Sequence, residues 1–243
     1  MRHQKQRLRV WPAGLLAAVL GLPAQAQAQE WQGAVAAAND KVQRGASLSR
    51  GRPVWMLDLS RTLNNAGLSA SVGLAGPVLQ GLGGEAESNL ALSQAWQLDA
   101  DWTLLLSGAH YGYLGAARAR AYSYQEAALS LGWRGQVTAG FSASPNAPVF
   151  VQGAGLRKGA AYAVELALHQ RLVDTLALDL GVGWRGLATR LGHGYRYGSA
   201  GLSWRQGPLH VFMTRTDTRA PNAQLPASAP ERRRWVASVA WQF

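Results

Sequence analysis

The chain has 243 residues, with 24 Lys and Arg against 13 Asp and Glu, a pI near 10.8 and no cysteine. The lack of cysteine excludes disulfide staples and soft thiolate metal sites, so a fold of this size must stand on burial and strand pairing. So basic a balance suits an anionic partner, of which nucleic acid is the first class to test.

Residues Met1 to Ala28 read as a secretory signal peptide. Arg2, Lys5, Arg7 and Arg9 make a basic start, and Val10 to Leu22 a short apolar core broken by Pro12. Ala24-Gln25-Ala26 and Ala26-Gln27-Ala28 are both A-x-A cleavage sites. The apolar core falls well short of the ~20 residues that a membrane helix needs. The mature chain is expected to start at Gln27 or Gln29, with 29–243 as one domain. An exported protein does not meet the cell's nucleic acid, which removes that class of partner. No later stretch resembles a membrane helix, and a chain without one spans a bilayer only as a closed barrel.

Twelve strand-like segments follow, near 32–44, 53–62, 67–75, 87–97, 102–113, 122–133, 136–143, 161–170, 175–184, 195–204, 209–216 and 233–243. In the clearest of them Leu90, Leu92, Trp96 and Leu98 oppose Ala91, Ser93, Ala95 and Gln97, and Leu129, Leu131 and Trp133 oppose Glu126, Ala128 and Ser130. Likewise Tyr162, Val164, Leu166 and Leu168 oppose Ala163, Glu165, Ala167 and His169, and Leu176, Leu178, Leu180 and Val182 oppose Ala177, Asp179, Gly181 and Gly183. A period of two puts each set on its own sheet face. One face is bulky and apolar; the other is Gly, Ala and Ser with isolated charges. A soluble sandwich would carry more Lys, Glu and Thr on its outer face, so the pattern favours lipid outside and a wet or packed lumen. The predicted fold class is all-β, a transmembrane antiparallel up-and-down barrel of about 12 strands.

Connections alternate between short (64–66, 99–100, 134–135, 173–174, 206–208) and long (45–52, 76–86, 114–121, 144–160, 185–194, 217–232). Short periplasmic turns and longer outer loops are the layout of a bacterial outer-membrane barrel. Trp96, Trp102, Trp133, Trp204 and Trp241 fall beside the short turns and Trp55, Trp184 and Trp235 near the long loops, as two interfacial belts would have it. The last strand alternates and stops on an aromatic, so Trp241 and Phe243 read as a signal for the barrel-assembly machinery. The expected location is the outer membrane.

Removing the four signal cations from 24 leaves 20, of which 15 lie in or beside the long loops. Arg50, Arg52, Arg118, Arg120, Arg157, Lys158 and Arg190 form the expected basic rim, joined by Arg44, Arg185, Arg196, Arg215, Arg219 and Arg232 to Arg234. The acids there are few, chiefly Glu85, Glu87, Asp217 and Glu231. Such a rim suits the phosphates of lipopolysaccharide or draws anions to a pore mouth. Parity points Asp40, Arg44, Asp58, Glu126, Glu165, His169 and Asp179 into the lumen, away from lipid, where a cation at midplane costs ~2–4 kcal/mol.

The run Arg44-Gly45-Ala46-Ser47-Leu48-Ser49-Arg50-Gly51-Arg52-Pro53, followed by Asp58, resembles the R-G-x-S-x-S-x-G-x-P…D run of the TorF-like porin family of Gram-negative bacteria. Looser likeness covers Tyr122–Glu126 with Ser130-Leu131-Gly132, Tyr162 to Leu168, Gly181-Val182-Gly183, Thr216-Asp217-Thr218 and the final Phe. The family usually has aromatics where Lys41 and Gln43 stand, and a polar Gln near Met56. The resemblance implies an outer-membrane barrel with a pore, and little about substrate.

No enzyme is expected. His110, His169, His193 and His210 lie apart, and neither G-x-S-x-G nor H-E-x-x-H occurs. His169 is expected beside Glu165 in a wet hydrogen-bond network. No metal-ligand spacing or cofactor motif is present. Two functions stay open: a channel for small polar solutes with weak anion preference, and a non-conducting barrel whose basic loops bind lipopolysaccharide or a partner. They are separated by whether a long loop, 144–160 being the candidate, folds into the lumen.

Overall fold

The computed structural model describes residues 31–64, 66–151, 155–187, 194–219 and 233–243. The signal segment and Arg190 therefore lie outside the described residues. The strands are β1 (Trp31–Ala38), β2 (Val42–Gln43), β3 (Ala46–Ser47), β4 (Val54–Thr62), β5 (Leu68–Gly76), β6 (Gly84–Gln97) and β7 (Trp102–Gly115). They continue with β8 (Tyr124–Trp133), β9 (Val137–Val151), β10 (Gly155–Val173), β11 (Leu176–Leu187), β12 (Tyr195–Gln206), β13 (Leu209–Arg219) and β14 (Arg233–Gln242). All but β2 and β3 join in one closed ring of twelve, each neighbour antiparallel, in the order β1, β14 down to β4. The seam is β1 on β14, with Val35 opposite Trp241 and Ala37 opposite Val239. Beyond the last strand, Gly33 N–H donates to the Phe243 carbonyl at 2.8 Å and Phe243 N–H returns the bond at 3.0 Å. The expected all-β twelve-stranded barrel is what forms.

The bulky set of each strand faces out. Leu90, Leu92, Leu106, Leu129, Phe141, Val164, Leu166, Val182, Leu202, Met213 and Val239 are all exposed. A chain in water would not leave so continuous an apolar band uncovered; around a closed sheet it is the surface that lipid covers. Trp31, Trp55, Trp96, Trp102, Trp235 and Trp241 are also exposed on this wall. Arg61 lies 5.5 Å from the Trp31 ring and Arg134 4.9 Å from that of Trp133, an amphipathic edge to the band.

Two departures from the expected strands bear on the lumen. The first strand ends at Ala38 rather than near 44, and the chain then turns inward. The described residues of the segment 144–160 do not form an infolded loop: β9 and β10 run on, pairing as far as Val151 and Gly155. Continued backbone pairing satisfies more N–H and C=O groups than an open loop would. Among the described residues, the connection that enters the lumen is 39–53.

Candidate pore constriction

Between β1 and β4 the chain forms a miniature hairpin, with Val42 opposite Ser47 and Gln43 opposite Ala46. Its turn is Arg44-Gly45, with φ of 48° and 74°. Positive φ at both central positions is the type I′ pattern, for which Gly is suited and Arg is not. The left-handed conformation costs Arg44 about 1–2 kcal/mol, and the contacts of its side chain offset that cost.

Arg44 Nη1 and Nη2 donate to the Glu126 carboxylate at 2.5 and 2.7 Å, a two-pronged ion pair. Nη2 also donates to Ser142 Oγ at 2.9 Å, and Nε reaches Glu165 Oε2 at 3.4 Å. Glu165 takes a second bond from Tyr197 Oη at 2.7 Å. Burial works against the charge on Arg44, but Glu126 and Glu165 outweigh it and raise its pKa well above the usual value. Across the lumen, Thr218 Oγ1 on β13 donates to the Gly45 carbonyl at 2.7 Å. A turn bonded to β8 on one side and β13 nearly opposite stands in the lumen itself.

The hairpin's base is held as firmly. Lys41 Nζ meets Glu87 Oε1 at 2.7 Å, with side chains 0% and 2% exposed. Asp40 accepts from Ser47 Oγ at 2.6 Å and Ser49 Oγ at 2.7 Å and pairs with Arg234 of β14. The same two hydroxyls accept from the Arg50 and Lys41 N–H groups at 2.8 and 3.0 Å. Burial pushes the Asp40 carboxyl up, yet the two serines and Arg234 prevail and hold it below the ordinary 3.8. Above the hairpin, Leu79 N–H donates to the Leu48 carbonyl at 2.8 Å, and Val78 is fully buried.

Twelve strands spaced ~4.8 Å and tilted ~40° make a ring roughly 24 Å between backbones. Two inner layers of side chains reduce this to roughly 14 Å. A two-stranded hairpin with its own side chains occupies most of that width at its level. Next to it lies a narrow cavity, too small to hold a water molecule, lined by residues that include Arg44, Glu126, Ser142, Ser144, Ala161 and Arg185. On the side of the short turns, Asp58 points inward and is exposed, and His169 Nδ1 sits 2.6 Å from Asp179 Oδ1, both about one-fifth exposed. Solvent reaches that part of the lumen at Asp58, while Asp179 Oδ2 stays buried.

The hairpin thus gathers Asp40 at its base and Arg44, Glu126 and Glu165 at its turn, with Asp58 in electrostatic reach of Lys41 and Glu87, while the His169–Asp179 pair lies apart. Asp40 and Arg44 are inside because the connection folds in, not because strand parity puts them there. His169 pairs with Asp179 rather than standing beside Glu165, since the direct cross-strand partner is nearer than a residue four along. Glu87 and Arg234, assigned to loops by sequence, are inward groups at the hairpin's base; Arg185 is on β11 and reaches the cavity. Lys41 was missed as a site residue. Arg50, Arg52, Arg118, Arg120, Arg157 and Lys158 are exposed; Arg52 bonds Gln80, Arg120 Nη1 caps the Gly115 carbonyl at 2.6 Å, and Lys158 bonds the Ser123 carbonyl. Trp241 and Phe243 are exposed on the outer wall at the seam. No group of three metal-ligating residues occurs among the described residues.

Solved structures share this architecture. A NanC porin aligns with a TM-score of 0.57 at 7% identity, over 88% of this chain and 99% of that one. The KdgM porin gives 0.54 at 8% identity, again over 88% and 99%. The KdgM porin in complex with disordered oligogalacturonate gives 0.53 at 7%, with the same coverage. At such identities the likeness is one of fold. This is a small, porin-like, twelve-stranded barrel. No family model matches the chain and no curated protein does, so no family is assigned.

Proposed function

We propose that the protein is an outer-membrane channel for small polar solutes, with the 39–53 hairpin as its constriction. The solvent-accessible Asp58 beneath the hairpin carries this reading, because an inward carboxylate that solvent reaches does not fit a barrel filled by its own side chains. The export signal, the lipid-facing band and the porin-like fold support the location. Long connections then face outside and short turns the periplasm. The run that resembles TorF-like porins, Arg44 to Pro53, covers the hairpin's turn and second arm, which makes the constriction the part of the chain that best supports that resemblance.

At the hairpin's level Lys41, Arg44, Arg185 and Arg234 balance Asp40, Glu87, Glu126 and Glu165. A neutral constriction leaves selectivity to the basic rim, hence weak anion preference. Oligogalacturonate, bound to one of the similar porins, is an acidic solute worth testing. The test is single-channel recording in planar bilayers, with the wild type beside a variant whose residues 40–52 are replaced by a short Gly-Ser link. Small steps from the wild type and larger ones from the variant are expected. Silence from both would overturn the reading. Silence from the wild type alone would favour the other function, a barrel closed by its hairpin that binds lipopolysaccharide or a partner through its loops.

A further inference from the structure

The outer wall of β12–β14 carries four arginines that the constriction does not use. Arg196, Arg215, Arg219 and Arg233 are exposed at outward positions of these strands. The register sets Arg196 opposite Arg219, Asp217 opposite Arg233, and Arg215 opposite Trp235. They climb the wall in three steps. Arg215 is level with Trp235 and 5.9 Å from its ring. Arg233, 3.2 Å from Asp217, stands one step beyond, and Arg196 with Arg219 two steps beyond. Below Trp235 the wall turns apolar through Leu202, Met213, Val211 and Val239, all exposed.

A step of two residues is ~6.6 Å along a strand and ~5 Å in height at a tilt of ~45°. With Trp235 at the interface, the arginines cover the ~5–7 Å of a headgroup layer and reach just past it. Arginine costs little at that depth compared with midplane, but tolerance does not explain why the group gathers on one side. Outward positions near the same end of β4, β5, β7 and β8 are Trp55, Leu74, Leu114 and Gln125. Among the described residues Asp217 is the single acid within the cluster, and it is bonded to Arg233. Neither Arg196 nor Arg219 has an ion pair among the described residues. The guanidinium fork matches phosphate oxygens two at a time, and the apolar wall directly beneath is where acyl chains would lie.

We infer that the outer wall of β12–β14 is a binding site for the phosphorylated headgroup of an outer-leaflet lipid. Arg215, held against Trp235, and Arg233, oriented by Asp217, form its floor; Arg196 and Arg219 close over the phosphate from above. The inference rests on the outer-membrane placement proposed above, not on conduction, since a closed barrel would bind the same lipid.

The test is native mass spectrometry of the full barrel in non-ionic detergent, titrated with bis-phosphorylated lipid A, with the same lipid after enzymatic removal of its phosphates, and with phosphatidylglycerol. Lipid A should be retained at least roughly tenfold better than its dephosphorylated form. The R196Q/R215Q/R219Q variant should lose that advantage, while R118Q/R120Q in the loops should keep it. Heat-modifiable gel mobility establishes that the triple variant is folded, and R196K/R215K/R219K, which keeps the charge without the fork, should fall between. Equal retention by wild type and the triple glutamine variant would overturn the site, as would phosphatidylglycerol bound as tightly as lipid A. Loss of the site with the protein still in the outer-membrane fraction would leave the proposed function standing; a protein found elsewhere would defeat that reading instead.

Discussion

The hairpin meets the barrel through two unlike surfaces. Toward β4–β8 it lies against a dry layer of Val54, Met56, Tyr111, Tyr113, Tyr122 and Tyr124, roofed by Val78 and Leu79 and touched by its own Leu48, beside which it sets two buried ion pairs, Lys41–Glu87 and Arg44–Glu126. The tyrosines lock one another, with Tyr111 and Tyr124 stacked at 4.6 Å and Tyr113 and Tyr122 edge to face at 6.4 Å. Toward β9–β14 the contacts are single polar ones: Ser142, Glu165, Thr218 and Arg234. Apolar contact is non-directional and fails only when a whole surface is wetted. A polar contact can be exchanged for water one bond at a time. The dry side therefore acts as the anchor, and any loosening, and any solute path, belongs on the polar side beside Arg44, Arg185 and Glu165.

The largest effect that separates the two sides is expected at Lys41–Glu87. Lys41→Met leaves a carboxylate buried and unpaired, a loss of about 3–5 kcal/mol, whereas the double variant K41M/E87L should recover most of it. Glu165→Gln on the polar side alters a side chain that is 33% exposed and should cost about 1 kcal/mol or less. Urea unfolding in lipid, read by the loss of strand signal, measures both. Equal losses would erase the distinction between anchor and polar face.

Next in size is the effect on the channel. Arg44 ties the turn to β8, β9 and β10 at once, so Arg44→Ala should raise single-channel conductance, by roughly twofold or more. Arg44→Lys keeps one charge but not the two-pronged pair, and should give an intermediate, noisier current. Unchanged conductance in both variants would mean that the path avoids the polar side.

A smaller effect is expected with pH. The folded Asp40 carboxyl titrates below its ordinary 3.8. A lowered value means that the group's contribution to stability is complete above the unfolded pKa and is lost as pH falls through the folded one. Conductance should be indifferent to this group between pH 8 and 5, about neutral to mildly acid, and should rise or flicker only below ~4. Asp40→Asn should remove that acid step. A step centred near neutrality would point to a different group.

Alternation made the barrel legible: a period of two sustained through β6, β10 and β11 leaves one bulky and one small face, and lipid and lumen follow. The hairpin was hidden because Val42-Gln43 and Ala46-Ser47 continue the alternation of β1 across a turn. Its signal was there in Arg44-Gly45 and Arg50-Gly51, two Arg-Gly pairs with φ positive at all four residues. An Asn-Gly would have announced a turn more plainly than Arg-Gly, although Arg134-Gly135 makes the same positive-φ pair at a short turn. Lys41 and Glu87 could not be paired from sequence: forty-six positions separate them, and only the infolded connection joins them.

The last and smallest effect concerns selectivity. The rim arginines are exposed, so their field reaches ~30 Å at 0.01 M salt but ~3 Å at 1 M. The constriction is different, because its charges are buried and matched, with Arg44 neutralised by Glu126 at 2.5 Å. Arg118→Gln with Arg120→Gln should therefore weaken a low-salt anion preference and change nothing at high salt. Glu126→Gln should strengthen the preference by freeing part of the Arg44 charge, and that gain should persist at high salt, since a charge inside the lumen is screened less than one on the rim. Reversal potentials under a salt gradient, taken at both ionic strengths, measure each variant. A Glu126→Gln gain that vanished at high salt would place Arg44 with the screened rim and leave the polar side without a role in choosing the solute.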